Sequence, residues 1–282
     1  MRTLTGIILC GAFLTFGTPG LRAAAKPETV PGFTQMQMSP EWYREQADIW
    51  KQVVSREPQN GAAWLNYFKA ERYAGFGDTS RSQQEKSERM KALIAGMGAA
   101  IPNTFEYHYA AWWNGGNRAE EFSHLEKAYQ IRQDDAELSD DFISYYELKG
   151  DREQVKNFCR KWYATHTMSP ALLNYHYNVL MSLEKNAVLV TSGDNDTYPV
   201  WLLQYAKGVR PDVTVLNTGL IGMPEYREKL LKDNSIGGDP NLLNLEGKET
   251  KNWDEAMAEF LQSVAEKTTK RPVYFALTAY PE

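Results

Sequence analysis

The sequence predicts an α + α/β protein, in which a run of α-helical repeats precedes a small parallel three-stranded α/β unit. Three observations predict it. Between residues 39 and 183, apolar residues recur at helical spacing, and the later part repeats with a period of 34 to 35 residues. After Asn186 the pattern changes to short β-branched runs alternating with amphipathic helices, as parallel sheets require. Aromatic residues are abundant, with 8 Trp, 16 Tyr and 11 Phe among 282 residues. Such side chains wedge between stacked helices.

The first segment reads as an export signal. Arg2 supplies a positive start, Leu4 to Phe16 is an apolar run too short to span a bilayer, and Pro19-Gly20 breaks it. Ala23-Ala24-Ala25 offers small residues for cleavage after Ala25, which predicts a periplasmic or secreted protein. Cys10 follows Leu9 inside the apolar run, so no lipid anchor is expected. Losing residues 1–25 removes Arg2, Arg22 and no acid, taking the net charge from −5 to −7. An acidic chain without a basic cluster argues against nucleic acid and anionic membrane as partners. No later apolar run reaches spanning length, so no stable membrane insertion is expected after cleavage. The mature chain keeps one cysteine, Cys159, flanked by Phe158 and near Trp162, as in a buried thiol.

Residues 26–38 are Pro-rich and read as a tether. Ser39-Pro40-Glu41 is a helix start, with Ser39 as cap and Pro40 in the first turn. A second helix starts near Ala62, Gly75 to Asp78 forms a loop, and Arg81 to Ala100 forms a longer, more polar helix. Pro102 to Asp135 and Ala136 to Pro170 then form two repeat units, each with a glycine (Gly116, Gly150) fourteen residues from its start. This pattern of two helices around a glycine turn resembles the tetratricopeptide repeat, most closely over Gly116 to Ile131. Stacked repeats bury a common core and expose a concave surface. A last helix, Ser169 to Leu183, carries Leu172, Leu173, His176, Val179, Leu180 and Leu183 to dock the repeats on the α/β unit.

Ala187 to Thr191 is an unbroken apolar run, as in a strand buried on both faces. Ser192 to Thr197 reads as a turn and Tyr198 to Ala206 as a helix, followed by a strand at Val213 to Leu216 and a helix at Met223 to Lys232. Residues 234–251 are irregular, Trp253 to Val264 is an amphipathic helix, and Val273 to Leu277 is a third strand. Right-handed crossovers would join these into a Rossmann-like unit. The chain stops five residues after that strand, so the unit reads as truncated or as completed by the repeats. The expected organisation is therefore a signal peptide (1–25), a tether (26–38), a repeat domain (39–183) and an α/β domain (184–282).

Ligands of parallel sheets bind at the carboxyl ends of the strands. Here those ends carry Ser192-Gly193-Asp194-Asn195-Asp196-Thr197, then Asn217-Thr218-Gly219, then Thr278-Ala279-Tyr280. The candidate ligand-binding residues are Asp194, Asn195, Asp196, Thr197, Tyr198, Trp201, Asn217 and Thr278. Asp194 and Asp196 have the oxygen chemistry to hold a divalent cation, and Tyr198 and Trp201 have rings that stack on sugars. The bland alternative is that Asp196 or Thr197 caps a helix, Gly193 and Asn195 make a tight turn, and the aromatics pack on the sheet. Arg210 and Asp212 lie at the opposite edge and are expected to fix a connection. His108, His124, His166 and His176 form no short metal-ligand pair in the chain, and no nucleophile-elbow, phosphate-loop or zinc-protease motif occurs.

Ser192 to Trp201, followed by Gly208-Val209-Arg210-Pro211-Asp212-Val213 and by Arg271 to Thr278, resembles the soluble C-terminal region of bacterial multi-pass membrane proteins related to protein O-mannosyltransferases. The resemblance covers about residues 184–282. Such proteins keep transferase chemistry in a membrane-embedded part, and this chain has no such helices after its signal. The resemblance therefore implies an accessory module without transferase activity. The expectation is an exported, non-catalytic binding or scaffold protein. Its repeats would engage a protein or glycan partner, among them a membrane glycosyltransferase, and no cofactor is expected. The alternative is a divalent-metal-dependent enzyme acting on glycans or sugar phosphates through the Asp194-Asn195-Asp196 turn.

Overall fold

The computed structural model describes residues 26–32, 36–115, 121–133, 135, 138–245 and 252–279. The expected signal peptide with its cleavage after Ala25, the repeat glycine Gly116, and Tyr280 lie outside the described residues. Residues 26–32, expected as a tether, are instead laid against the first helix pair. Val30 is buried, its amide donates to Asn66 Oδ1 at 2.7 Å, and the Trp50 indole donates to the Glu28 carbonyl at 2.9 Å. Val30 belongs to an apolar cluster with Tyr43, Ala47 and Tyr73, which is why the segment does not swing free.

Among the described residues, eight α-helices make up the first half. Helix α1 (Pro40–Arg56) starts where Ser39 accepts from the Trp42 amide, and α2 (Gly61–Phe76) starts at an Asn60 cap. Helix α3 (Gln83–Ala100) opens with a capping box between Ser82 and Glu85. Helices α4 (Phe105–Gly115) and α5 (Phe122–Ile131) form the next pair. The pair α6 (Ser139–Lys149) and α7 (Arg152–Thr165) is joined at Gly150, whose φ of 74° only glycine adopts cheaply, and Asp151 caps α7. Helix α8 (Pro170–Ser182) ends the helical half. Helix α2 runs on to Phe76, so the loop expected from Gly75 begins later.

Strand β1 (Val188–Thr191) is followed by α9 (Asp194–Lys207), β2 (Thr214–Asn217), α10 (Pro224–Asp233), α11 (Trp253–Lys267) and β3 (Val273–Phe275). The three strands are parallel in the order β2-β1-β3, with Leu189 level with Val215 and Tyr274. All four β1 side chains are buried, and they alternate between two cores. Val188 and Val190 face α10 and α11, among Leu230, Phe260 and Val264. Leu189 faces the other way, into a core that also holds Trp201, Leu180, Phe158, Trp112 and Phe105. That core runs unbroken from α4 through α9 to the sheet, so the helical repeats supply part of the cover of the α/β unit. Strand β3 is shorter than the expected Val273 to Leu277, because a 3-10 turn (Leu277–Ala279) comes after it.

Two arginines clamp the amino ends of the strands. Arg210 has a left-handed φ of 45° and is held there by five bonds. It donates to the carbonyls of Leu180, Leu183 and Glu184, each at 2.7 Å, and to both Asp212 oxygens at 2.9 Å. This ties the end of α8 to the start of β2, as expected of Arg210 and Asp212. Arg271 donates to the carbonyls of Asn186, Ala187 and Asn234 and to Thr214 Oγ1, joining the entries of all three strands and the end of α10. Charge-assisted hydrogen bonds contribute about 1.5 to 3 kcal/mol each, net of the water they replace, and less where a partner is exposed. The expected outcome of Arg271→Met is a loss of about 3 kcal/mol of unfolding free energy. Urea denaturation checks this, with an unchanged dependence on denaturant showing that the transition stays cooperative.

Candidate functional site

The carboxyl ends of the strands hold a closed polar network. Gly193, at φ 72°, turns the chain sharply out of β1, so that α9 begins at Asp194. The Asp194-Asn195-Asp196 segment, expected as a turn with Asp196 or Thr197 as helix cap, is therefore the first turn of α9. Gly193 is the cap residue and no side chain caps the helix. Asp194 and Asp196 suit the positive end of the helix. Thr197 is the node. Its hydroxyl donates to the Gly193 carbonyl at 2.8 Å, lies 2.8 Å from Thr191 Oγ1, and accepts from the Asn217 amide at 2.6 Å. Asn217 Oδ1 in turn accepts from the amides of Gly219 and Leu220. Thr278 donates its hydroxyl to Asp196. Asp196, Thr197, Asn217 and Thr278 are thus brought together, and they are spent on one another.

Tyr198 and Trp201 are core residues. Tyr198 stacks obliquely on Trp162, with ring centroids 5.3 Å apart, and its hydroxyl lies 2.7 Å from Ser144 Oγ in α6. Burial holds the phenol well above its ordinary pKa. Trp201 is packed in the shared core, so neither ring offers a face for a sugar. Near them, the acidic first turns of α6 and α9 converge. Burial, with Asp141 and Asp194 adding repulsion, raises the Asp140 carboxyl well above the usual carboxylate range. Asp194 reaches solvent, though the protein walls around it still push its carboxyl upward.

His176 of α8, only 2% exposed, faces this end of α9. Its Nε2 lies 3.9 Å from Asp196 Oδ1, beyond hydrogen-bond reach. Pro199 inside α9 has no N–H, which leaves the Asn195 carbonyl without its helical donor. Burial lowers the His176 pKa, while Asp196 and the Asn195 backbone pull the other way. Among the described residues, no three His, Cys, Asp or Glu side chains are grouped so as to hold a metal ion.

Open surface lies elsewhere. Helix α8, expected to dock, does so through His176 and Leu180, and leaves Tyr177 (44%) and Met181 (52%) exposed on one flank and Tyr175 (47%) on the other. Beside it is a cavity of about 270 Å³ lined by Tyr163, His166, Met168, Leu173, Asn174 and Tyr177. The signal was legible as apolar residues on more than one face of the helix. A second cavity, of about 490 Å³, lies at the amino ends of the strands and includes Glu147, Arg152, Asp233 and Lys270. It is opposite the edge where sheet ligands were expected. His108 and His124, distant in sequence, meet across α4 and α5 with their Nδ1 atoms 2.8 Å apart. Cys159 is buried in the shared core, and burial raises its thiol pKa, as expected of an inert thiol.

A family model described as TMEM260-associated domain 2 matches residues 172–235, from within α8 to just past α10. This partial match is consistent with a relation to TMEM260-like multi-pass membrane proteins. Neither the curated proteins nor the solved structures give a match. No described helix is long and apolar enough to cross a membrane.

Thr197→Val removes the network node and should cost about 1 to 3 kcal/mol, while Asp194→Ala, on the solvent side, should cost under about 0.5 kcal/mol. Chemical denaturation of both variants checks this ranking. A pH series tests the paired histidines. Burial lowers both pKa values, with His124 adding to the shift of His108, and Glu121 opposing the shift of His124. The unfolded chain therefore takes up protons first as pH falls below the ordinary imidazole value of 6.5. Their contribution to stability is complete above that pH and declines below it. The His108→Asn, His124→Asn double variant should lose less stability than the parent between pH 7.5 and 5, read as the change in Tm.

Proposed function

We propose that this chain is an exported, non-catalytic binding module that meets a protein or glycan partner with the flank of α8 that exposes Tyr177 and Met181. The observation that carries the reading is the exposed Tyr177 ring and Met181 thioether on that flank, beside a small cavity lined by aromatic and amide groups, Tyr177 among them. Tyrosine faces bind at low entropic cost and suit both peptide and pyranose surfaces. The partial family match begins on this same helix, which supports an accessory role beside a membrane glycosyltransferase. Export by the N-terminal segment would place that role in the periplasm or outside the cell. The polar groups at the strand ends favour a structural part, since each of Thr197, Asn217 and Thr278 is engaged by a neighbour.

The test is binding to an array of peptides and oligosaccharides by the parent and by a Tyr177→Ser, Met181→Ser variant. Because these side chains are exposed, the variant should keep its Tm and lose the binding. Retained binding would move the interface elsewhere. Thermal unfolding with Mg²⁺, Ca²⁺ or Mn²⁺ separates the metal-dependent enzyme reading. A site saturated at 100 times its Kd adds about 2.7 kcal/mol. Stabilisation of the parent, but not of an Asp194→Ala, Asp196→Ala variant, would favour the enzyme.

A further inference from the structure

A second site lies in the helical half, far along the chain from α8. A cavity of about 350 Å³ opens between α2 and α3, lined among others by Glu71, Arg72, Phe76, Arg81, Lys86 and Arg89. In a chain of net charge −5, four cations around one carboxylate is a local reversal. Two of the four are already committed. Glu71 is buried and accepts from both Arg81 and Arg89, and Arg81 also pairs with Asp78 at 2.8 Å. Arg72 and Lys86 make no side-chain hydrogen bond or ion pair among the described residues.

Arg72 is held by stacking. Its guanidinium lies 5.0 Å from the Trp113 ring centroid and 5.9 Å from that of Phe76. Its Nε is buried without a partner, and Asp141, Tyr73 and Tyr109 act on it only through space. A guanidinium carries five donors in a planar fork, and leaving the buried Nε unmet is costly. The fork matches the oxygens of a carboxylate or phosphate, and fixing it on aromatic rings removes the entropy otherwise lost on binding. Phe76, 59% exposed, and Met90 add an apolar wall to the same cavity. The volume lies within the range of small-molecule sites.

We propose that this pocket binds a small molecule with one phosphate or carboxylate group on an apolar body, the oxyanion held by Arg72 and Lys86 and the body resting on Phe76. The site is independent of the α8 face and of any partner that docks there. Ligand and α8 partner are bound by different residues, so loss of one leaves the other intact.

The experiment is titration calorimetry of the full chain with phenyl phosphate, benzoate, inorganic phosphate and neutral benzyl alcohol, at low and high salt. Phenyl phosphate and benzoate should bind more tightly than inorganic phosphate, with binding weakened by salt, and benzyl alcohol should not bind. Lys86→Gln should weaken binding about tenfold, and Arg72→Gln should abolish it. Arg72 also packs between rings, so circular dichroism accompanies that variant, and Lys86→Gln carries the test if it misfolds. Absence of heat with both phenyl phosphate and benzoate, or parent-like affinity in the Lys86 variant, overturns the proposal. Equal affinity for inorganic and phenyl phosphate overturns the apolar half of it.

Discussion

Strand β1 must be covered on both faces, and the rest of the structure depends on how that is done. An unbroken Val-Leu-Val run has no solvent side, so each face needs its own layer. One layer comes from α10 and α11, which lie after β1 in sequence. The other comes from α9 together with the last repeat helices, which precede the sheet. The repeats and the sheet therefore share one core rather than meeting at a polar interface. Burial at roughly 25 cal/mol per Å² makes such a junction far harder to open than a linker. The consequence for function is that surfaces on α8 and on the repeats are held in fixed relation to the sheet.

The two edges of the sheet are treated differently. At the amino ends, Arg210 and Arg271 collect carbonyl groups from α8, α10 and the strand entries. At the carboxyl ends, short hydroxyl and amide side chains collect one another around Thr197. Both edges are thereby closed by hydrogen bonds whose members are buried or partly buried. A three-stranded parallel sheet has little area of its own, and these closures compensate for that. At the carboxyl ends they engage Thr197, Asn217 and Thr278, groups that a ligand would use in larger sheets.

The aromatic abundance divides into two populations. Most rings fill the repeats, such as Phe142 stacked on Phe158 at 4.3 Å and Phe122 stacked on Tyr145 at 3.6 Å. A few, including Tyr175, Tyr177 and Phe76, remain in contact with water. Composition makes the total visible but not the division. Whether a ring at a given helical position faces a neighbouring helix or solvent depends on which helix packs where.

Much of the architecture was legible in the chain by itself. Helical and strand periodicity, the cap at Ser39, and the doubly buried run at β1 are local properties, decided by residues within a turn or two of one another. The 34- to 35-residue period and the Gly150 turn were legible for the same reason. Tertiary structure decided the rest. It made Asp194-Asn195-Asp196 a first helical turn once Gly193 took a left-handed φ, and it turned Tyr198 and Trp201 inward because α6 and α7 lie over α9. It laid the expected tether on α1 and α2. It also brought His108 to His124 and left Arg72 between two rings with no acceptor among the described residues, pairings set by helix packing across distances that no local pattern encodes.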